Sequence, residues 1–415
     1  MRIEHKDLLN KILEFLGGEL DITKTQFESA VKSYQAVAEQ LTKDNSALLP
    51  YKPKILPQGS FMLGTMVKPV VEGSKLDVDL VCQLINKNAS WTQYDLKQKV
   101  GNQIKDNKTY EKMIKKPEGR RCWTLVYAED SNYHMDILPC IVDSNYNVVF
   151  EKSFTNTELK DADELAIRIT DKEDFGYNFT TNHHDWLKSN PFGYAKWFFR
   201  RAIINSTRSI SLKAAIEPIR DFDKEKFPLQ RVVQILKRHR DIMFSEDSEY
   251  NLDHKPISII ITTLAAKSYD KEDNILDALV NAVGNMRGEI KEKYNSKTGK
   301  IEKFIENPVN SEENFADKWI DEDKKRKYFY EWLDKLEEDI ASIISSDGIG
   351  LNNLQKSMSS QFGNSVTEKA FVNYGNQSRI LTETGKRKME AGTGLLGATV
   401  SGPIIKKHDF EGLNG

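Results

Sequence analysis

The sequence has no apolar stretch long enough to cross a membrane: no window approaches the roughly 18 apolar residues a span requires. Cysteine is scarce. Cys82, Cys122 and Cys140 are odd in number and widely spaced within apolar runs, which excludes a disulfide framework and fits small core residues. No charge sign is in surplus either: 60 Lys+Arg against 62 Asp+Glu give a formal net charge of −2. A protein that coats nucleic acid is thereby excluded, although a local basic cleft is not. The N-terminal stretch carries charges through its apolar positions and shows no targeting h-region, so we expect a cytoplasmic protein. No internal repeat, GxxxxGK[ST] loop, GxSxG elbow or HExxH site is present.

What remains is an ordinary globular composition, 39% hydrophobic and 29% charged over 415 residues. That length suits two or three domains and can bury about three quarters of the unfolded surface. Residues 6–43 have helical spacing, with Leu9, Ile12, Leu13 and Leu16 on one face. A break is expected at Gly17-Gly18, and either Asp21 or Thr23 could cap the second segment. From about 55 to 150 strand-length apolar runs appear: Asp77–Leu84, Arg121–Ala128 and Tyr133–Val142. The last two flank the polar Glu129-Asp130-Ser131-Asn132 and predict a hairpin. Residues 91–115 are polar and lysine-rich and predict a surface helix. From about 185 onward helices are expected to dominate, notably after Pro228, over 256–267 and over 312–345. Residues 391–415 contain six glycines and predict a mobile tail.

The chemistry concentrates in residues 57–84. Asp77 and Asp79 flank Val78 inside an apolar run, so on a strand both carboxylates share one face. At about 4 Å and an effective dielectric of about 20 their repulsion is near 4 kcal/mol. A divalent cation is the usual compensation, and Mg²⁺ favours one or two carboxylates plus substrate phosphates. Asp136, in a second apolar strand, can be returned beside them. Three such carboxylates can hold two metal ions about 3.5–4 Å apart, activating a hydroxyl and stabilising a leaving pyrophosphate. Gly59-Ser60, preceded by Gln58, suits a turn whose backbone amides approach a phosphate. Lys237, Arg240 or Ser258 could reach the same phosphates from a later helix.

Each motif alone has a plain structural explanation. A lone DxD is common on surfaces, a lone Gly-Ser is a loop, and the KRHRD run around Lys237 reads as a solvated helix face. Their joint occurrence points to nucleotidyl transfer, because unpaired carboxylates within apolar strands are costly. His134 shares the face of Asp136. His183-His184 offer two metal ligands, but no further ligand pair at useful spacing follows them.

PQGSFMLGT, KLDVDLV, YHMDILPC, LQRVVQILKRHRDIMF and KPISIIITTLAA, in that order, resemble the bacterial cGAS/DncV-like nucleotidyltransferases of CBASS anti-phage defence. The resemblance covers most of residues 50–270. It implies an α/β (α+β) fold: a polymerase-β-like nucleotidyltransferase core with a long N-terminal helix, packed against an α-helical lobe. The expected division is residues 1–50 as helices bridging the lobes, 51–220 as catalytic core, 221–384 as helical lobe and 385–415 as flexible tail. The implied activity joins NTPs, purines above all (ATP or GTP), into a cyclic di- or trinucleotide second messenger with release of pyrophosphate. The alternative is template-independent transfer to RNA ends or protein hydroxyls.

By matching positions, Asp77, Asp79 and Asp136 would be catalytic ligands of two Mg²⁺ (or Mn²⁺) ions, with Asp136 helping to activate the ribose hydroxyl. Gln58, Gly59, Ser60, Lys237 and Ser258 would bind nucleotide. The zinc ribbon of the animal relative has no counterpart, in line with no long nucleic-acid partner and no membrane. A downstream effector that senses the cyclic product is implied. So is a ubiquitin-conjugating-enzyme-like partner acting on the tail; HDFEG resembles such ends, although Leu413, Asn414 and Gly415 follow it, with Gly415 as the possible conjugated residue.

Overall fold

The computed structural model describes residues 2–71, 75–127, 133–153, 162–203, 225–245, 249–295 and 299–386, with a few isolated positions besides. The chain opens with two helices, α1 (Ile3–Leu20) and α2 (Lys24–Thr42). The expected break at Gly17-Gly18 is absent, because α1 runs through both glycines. Gly17 is a contact residue: a Cβ there would lie 2.8 Å from Arg231 Cδ, and Arg231 donates to its carbonyl at 2.6 Å. The chain turns at Asp21–Thr23 instead. Thr23 is the cap, accepting from Gln26 N while the Gln26 side chain returns to Thr23 N.

A six-stranded sheet follows: β1 (Lys54–Pro57), β2 (Leu76–Ile85), β3 (Trp123–Val126), β4 (Tyr133–Val142), β5 (Ile167–Ile169) and β6 (Lys188–Ser189). The order is β1-β2-β4-β5-β6. β2 and β4 are parallel over their full length. On the other edge of β4, β3 pairs with its first half and β5 with its second. β3 and β4 are antiparallel, as a hairpin requires; its turn lies outside the described residues.

The remaining α-helices among the described residues are α3 (Gly59–Leu63), α4 (Gln93–Lys105), α5 (Lys108–Met113), α6 (Tyr146–Ser153), α7 (Pro191–Ala202), α8 (Pro228–Met243), α9 (Ser258–Ser268), α10 (Ile275–Asn285), α11 (Asp323–Ile344), α12 (Leu351–Phe362) and α13 (Asn364–Glu383). The lysine-rich segment before β3 forms two helices rather than one. α4 buries Leu96, Val100 and Ile104, and even Lys97, which donates to the Arg120 carbonyl at 2.9 Å. α-Helix is also absent from 312–322, where Phe315 and a single 3₁₀ turn, Asp317–Trp319, precede α11. There the Asn314 side chain accepts from the amides of Ile305 and Ala316, fixing a turn in place of a helical start. Lys291–Asn295 and Lys300–Phe304 form an antiparallel pair that the helical expectation had not included. Gly415 and most of residues 387–415 lie outside the described residues.

The two faces of the sheet feed two separate cores. Val78, Leu80, Cys82 and Leu84 of β2 and Met135, Ile137 and Ile141 of β4 pack with α2, α4, Trp123 and Trp186. Val81 of β2 and Leu138, Cys140 and Val142 of β4 face the other way and pack with α1, α7, α8 and the helices beyond. Strand alternation therefore puts Asp77, Asp79 and Asp136 on the helix-facing side, at the end of the strands where the apolar contacts stop. Cys82 and Cys140 are fully buried and unpaired, as expected of core cysteines, and Cys122 is half-buried.

Candidate active site

The parallel register sets Asp79 directly opposite Asp136, and Asp77 opposite His134. The three carboxylates thus form one patch on two adjacent strands. Asp77 is open to solvent at the rim, with His134 Nδ1 3.7 Å from its oxygen. Asp79 lies deeper, and burial first, then Asp136 and Asp77, push its carboxyl up to about 7. The Asp77 carboxyl is also raised, by the surrounding protein and by Asp136, with His134 and Lys255 pulling it back. Asp136 is held from the side by Thr124, whose hydroxyl donates to it across the β3–β4 ladder. Three anions so placed are short of positive charge, the condition that a divalent cation relieves.

The Gly-Ser turn lies against this patch. Gln58 N donates to Asp79 O at 2.8 Å, and Gly59 then starts α3 with φ +61. A Cβ on Gly59 would meet Asp79 Oδ2 at 2.5 Å. Glycine is required here twice over, by the left-handed backbone and by the close approach to the carboxylate. The turn closes with Thr65 N donating to Ser60 O. Gln58, Gly59 and Ser60 are partly exposed beside the aspartates.

α8 lies on the other side of the turn, and the plain alternative weighed for its charged run does not hold. The KRHRD run is not a solvated face, since residues Leu229 through Arg240 are all buried. Each charged side chain has a partner. Lys237 Nζ donates to Thr65 O at 3.1 Å and lies 3.3 Å from Thr65 Oγ1. Burial first, then Arg240, lower the Lys237 ammonium to about 7, with Asp241 and Asp79 opposing. Arg240 donates to Pro256 O and to Ser258 Oγ at 2.9 Å. Arg238 donates to Phe362 O, and His239 meets Asp339 at 3.0 Å. Lys237 therefore stands behind the Gly-Ser turn, bound to Thr65, while Ser258 is held by Arg240, on the same helix as Lys237.

Sequence reasoning passed over Thr124 and Lys255. The first was within reach: a hairpin centred on residue 130 pairs 124 with 136. Lys255, which favours the charged form of Asp77 and pairs with Asp241 at 3.2 Å, is brought near it only by the fold. His183 and His184 are not part of this patch. They meet Asp143, just beyond the far end of β4.

Paired strand carboxylates, a glycine turn pressed onto them and a helical wall define a nucleotidyltransferase. Comparison with known proteins agrees. Residues 8–160 match the Second Messenger Oligonucleotide or Dinucleotide Synthetase domain family. The chain is 29% identical over 398 residues to a c-di-GMP synthase of Roseivirga ehrenbergii, covering 95% of this chain and 92% of that one. The structure of the Bradyrhizobium diazoefficiens CD-NTase CdnG in complex with GTP superposes with a TM-score of 0.61 at 16% identity, over 88% of this chain and 99% of that one; this likeness concerns the fold. The chain is a nucleotidyltransferase, and it is similar to the cGAS/DncV-like enzymes.

Proposed function

We propose that this enzyme is a cyclic dinucleotide synthase that uses purine NTPs, GTP among them, and signals in CBASS anti-phage defence. The observation that carries the reaction class is the Asp79–Asp136 register with Gly59 pressed onto Asp79. The name of the Roseivirga relative supports a cyclic dinucleotide, and guanine, as the product class. Asp77, Asp79 and Asp136 suit two Mg²⁺ or Mn²⁺ ions, because their carboxylates crowd together with too few cations of their own. Bound metal would supply Lewis acidity at the reacting phosphate and its leaving pyrophosphate.

The rest falls to the chain. Gln58, Gly59 and Ser60 bind the donor triphosphate through the exposed turn. Lys237 acts through Thr65, fixing the end of that turn from behind. Ser258 and Arg240 form a second fixed point on the helical side. Asp136, oriented by Thr124, accepts the proton of the attacking ribose hydroxyl. In this reading the chain divides into helices 1–50 bridging the two halves, a core over 51–220, a helical lobe over 221–384 and a tail over 385–415, with Gly415 as the residue that a ubiquitin-conjugating-enzyme-like partner would join to a target. The enzyme works in the cytoplasm and feeds an effector that binds its product; among the described residues no helix is long and apolar enough to cross a membrane.

The test is incubation with all four NTPs and Mg²⁺, phosphatase treatment and mass spectrometry, with an Asp77→Asn/Asp79→Asn control. A phosphatase-resistant cyclic dinucleotide absent from the control is expected. Label transferred to added RNA or protein, with no small cyclic product, would overturn the proposal in favour of a template-independent transferase.

A further inference from the structure

At the other end of β4, seven residues and about 23 Å beyond Asp136 at strand rise, a second group of potential ligands comes together. Asp143 follows the last residue of β4, and His183-His184 lie in a single 3₁₀ turn ahead of β6. His183 Nε2 is 3.1 Å and His184 Nε2 4.0 Å from the same Asp143 oxygen. The two imidazoles lie with ring centroids 4.2 Å apart and planes inclined by 34°, so both present Nε2 to one point. One donor atom from each of the three residues lies within 4.8 Å of the others. We propose that Asp143, His183 and His184 bind a first-row transition-metal ion, with Zn²⁺ the best fit.

The geometry suits that ion. Zn–N and Zn–O bonds of about 2.0–2.1 Å put tetrahedral ligand atoms about 3.3 Å apart, and the present separations of 3.1 and 4.0 Å bracket that value. Two imidazoles and one carboxylate favour zinc and its neighbours over Mg²⁺ or Ca²⁺, which prefer all-oxygen sites. The ligands stand on fixed backbone. Asn182 accepts from His184 N and caps the turn, Trp186 N donates to His183 O, and Asp143 O accepts from Tyr146 N. A cavity of about 350 Å³ adjoins the three residues and leaves room for a water or an incoming ligand at the fourth position. Its two cations are engaged elsewhere, Lys188 with Asp163 and Arg168 with the Trp186 carbonyl. Bound metal would tie the end of the central strand to the segment that leads through β6 into α7.

The site is separate from the triad, so its test does not depend on nucleotide synthesis. Untagged full-length protein is titrated with Co²⁺ as a spectroscopic probe, and with Zn²⁺ against a chromophoric chelator, in millimolar Mg²⁺ to occupy carboxylate sites. One tight equivalent is expected, with visible Co²⁺ bands typical of four or five ligands. Affinity should fall at least about 100-fold in His183→Ala/His184→Ala, since even outer partners of a metal ligand cost 10–100-fold. Asp143→Asn, which preserves shape and the contact to His183, should also weaken binding. Zn²⁺ should raise the melting temperature of the parent protein and not that of the double histidine variant, while the metal-free proteins melt together. No tight equivalent, or one that survives in the double variant, overturns the proposal.

Discussion

Two aspartates lie near α8, Asp21 in the turn after α1 and Asp79 on β2, and their surroundings are opposite. Asp21, only 5% exposed, is enclosed by positive and neutral donors. Lys226 and Arg231 pair with it, and Gln234 donates to it at 2.9 Å while also donating to Met66 O at 2.7 Å. Asp79 is enclosed by negative ones, with Asp136 opposite it, Asp77 two residues away and Gly59 underneath. The cation that favours its charged form, Lys237, is spent on Thr65 and is itself driven towards neutrality. A carboxylate folded in with its own cations holds two parts of a chain together. One folded in with other carboxylates stores repulsion that an external cation can relieve, which is why such groups mark functional sites.

The strongest way to break this contrast is to neutralise each aspartate in turn. Asp79→Asn should remove nucleotidyl transfer by at least about a thousandfold, about 4 kcal/mol of barrier, without lowering stability. Pyrophosphate release and thermal unfolding measured together check it; near-normal turnover would remove Asp79 from the site. Asp21→Ala should do the reverse. It leaves Arg231 and Lys226 buried without their carboxylate, at a cost of about 3–5 kcal/mol, visible as a lowered denaturation midpoint, while kcat per folded molecule stays within a few fold.

Gly59→Ala sharpens the comparison at the point where backbone meets carboxylate. The left-handed φ costs about 1–2 kcal/mol, and the new methyl group must push Asp79 aside. A drop of about 100-fold in kcat, with a smaller change in KM, is expected from steady-state kinetics. An unchanged kcat would mean that the turn does not position Asp79.

The smallest effect is on pH dependence. The Asp79 carboxyl moves from 3.8 to about 7 on folding, so the folded chain holds its proton more tightly than the unfolded chain. The stability this confers is complete below about 3.8 and is lost as pH rises through about 7. In chelator, the melting temperature of the parent should therefore fall behind that of Asp79→Asn over this window by a few °C and then level off. A difference independent of pH would show that Asp79 is not crowded as described.

Much of the carboxylate patch was legible in the chain. Apolar alternation around Asp77, Asp79 and Asp136 places all three on strand faces, and Tyr133–Val142 forms the strand the alternation outlines. Thr124 follows from the same hairpin arithmetic. The glycines were harder, because Gly17 and Gly59 look alike in sequence. One continues a helix under Arg231 and the other starts α3 against Asp79. The charged run of α8 misled for a related reason: Lys237, Arg238, His239 and Arg240 satisfy themselves on Thr65, Phe362, Asp339 and Ser258, none of them near in sequence. The partner of His183-His184 was sought downstream, whereas Asp143 lies 40 residues upstream.

The sequence by itself determined which side chains share a face, because that depends on the two-residue repeat of a strand or the 3.6-residue repeat of a helix and on nothing farther away. Tertiary structure alone decided what each face meets. Asp21 and Arg231 are 210 positions apart and touch, and Asp79 and Asp136, 57 positions apart, become neighbours only through the parallel register of β2 and β4. Whether a charge is paired, crowded or solvated is set by such through-space contacts, and no local periodicity encodes them.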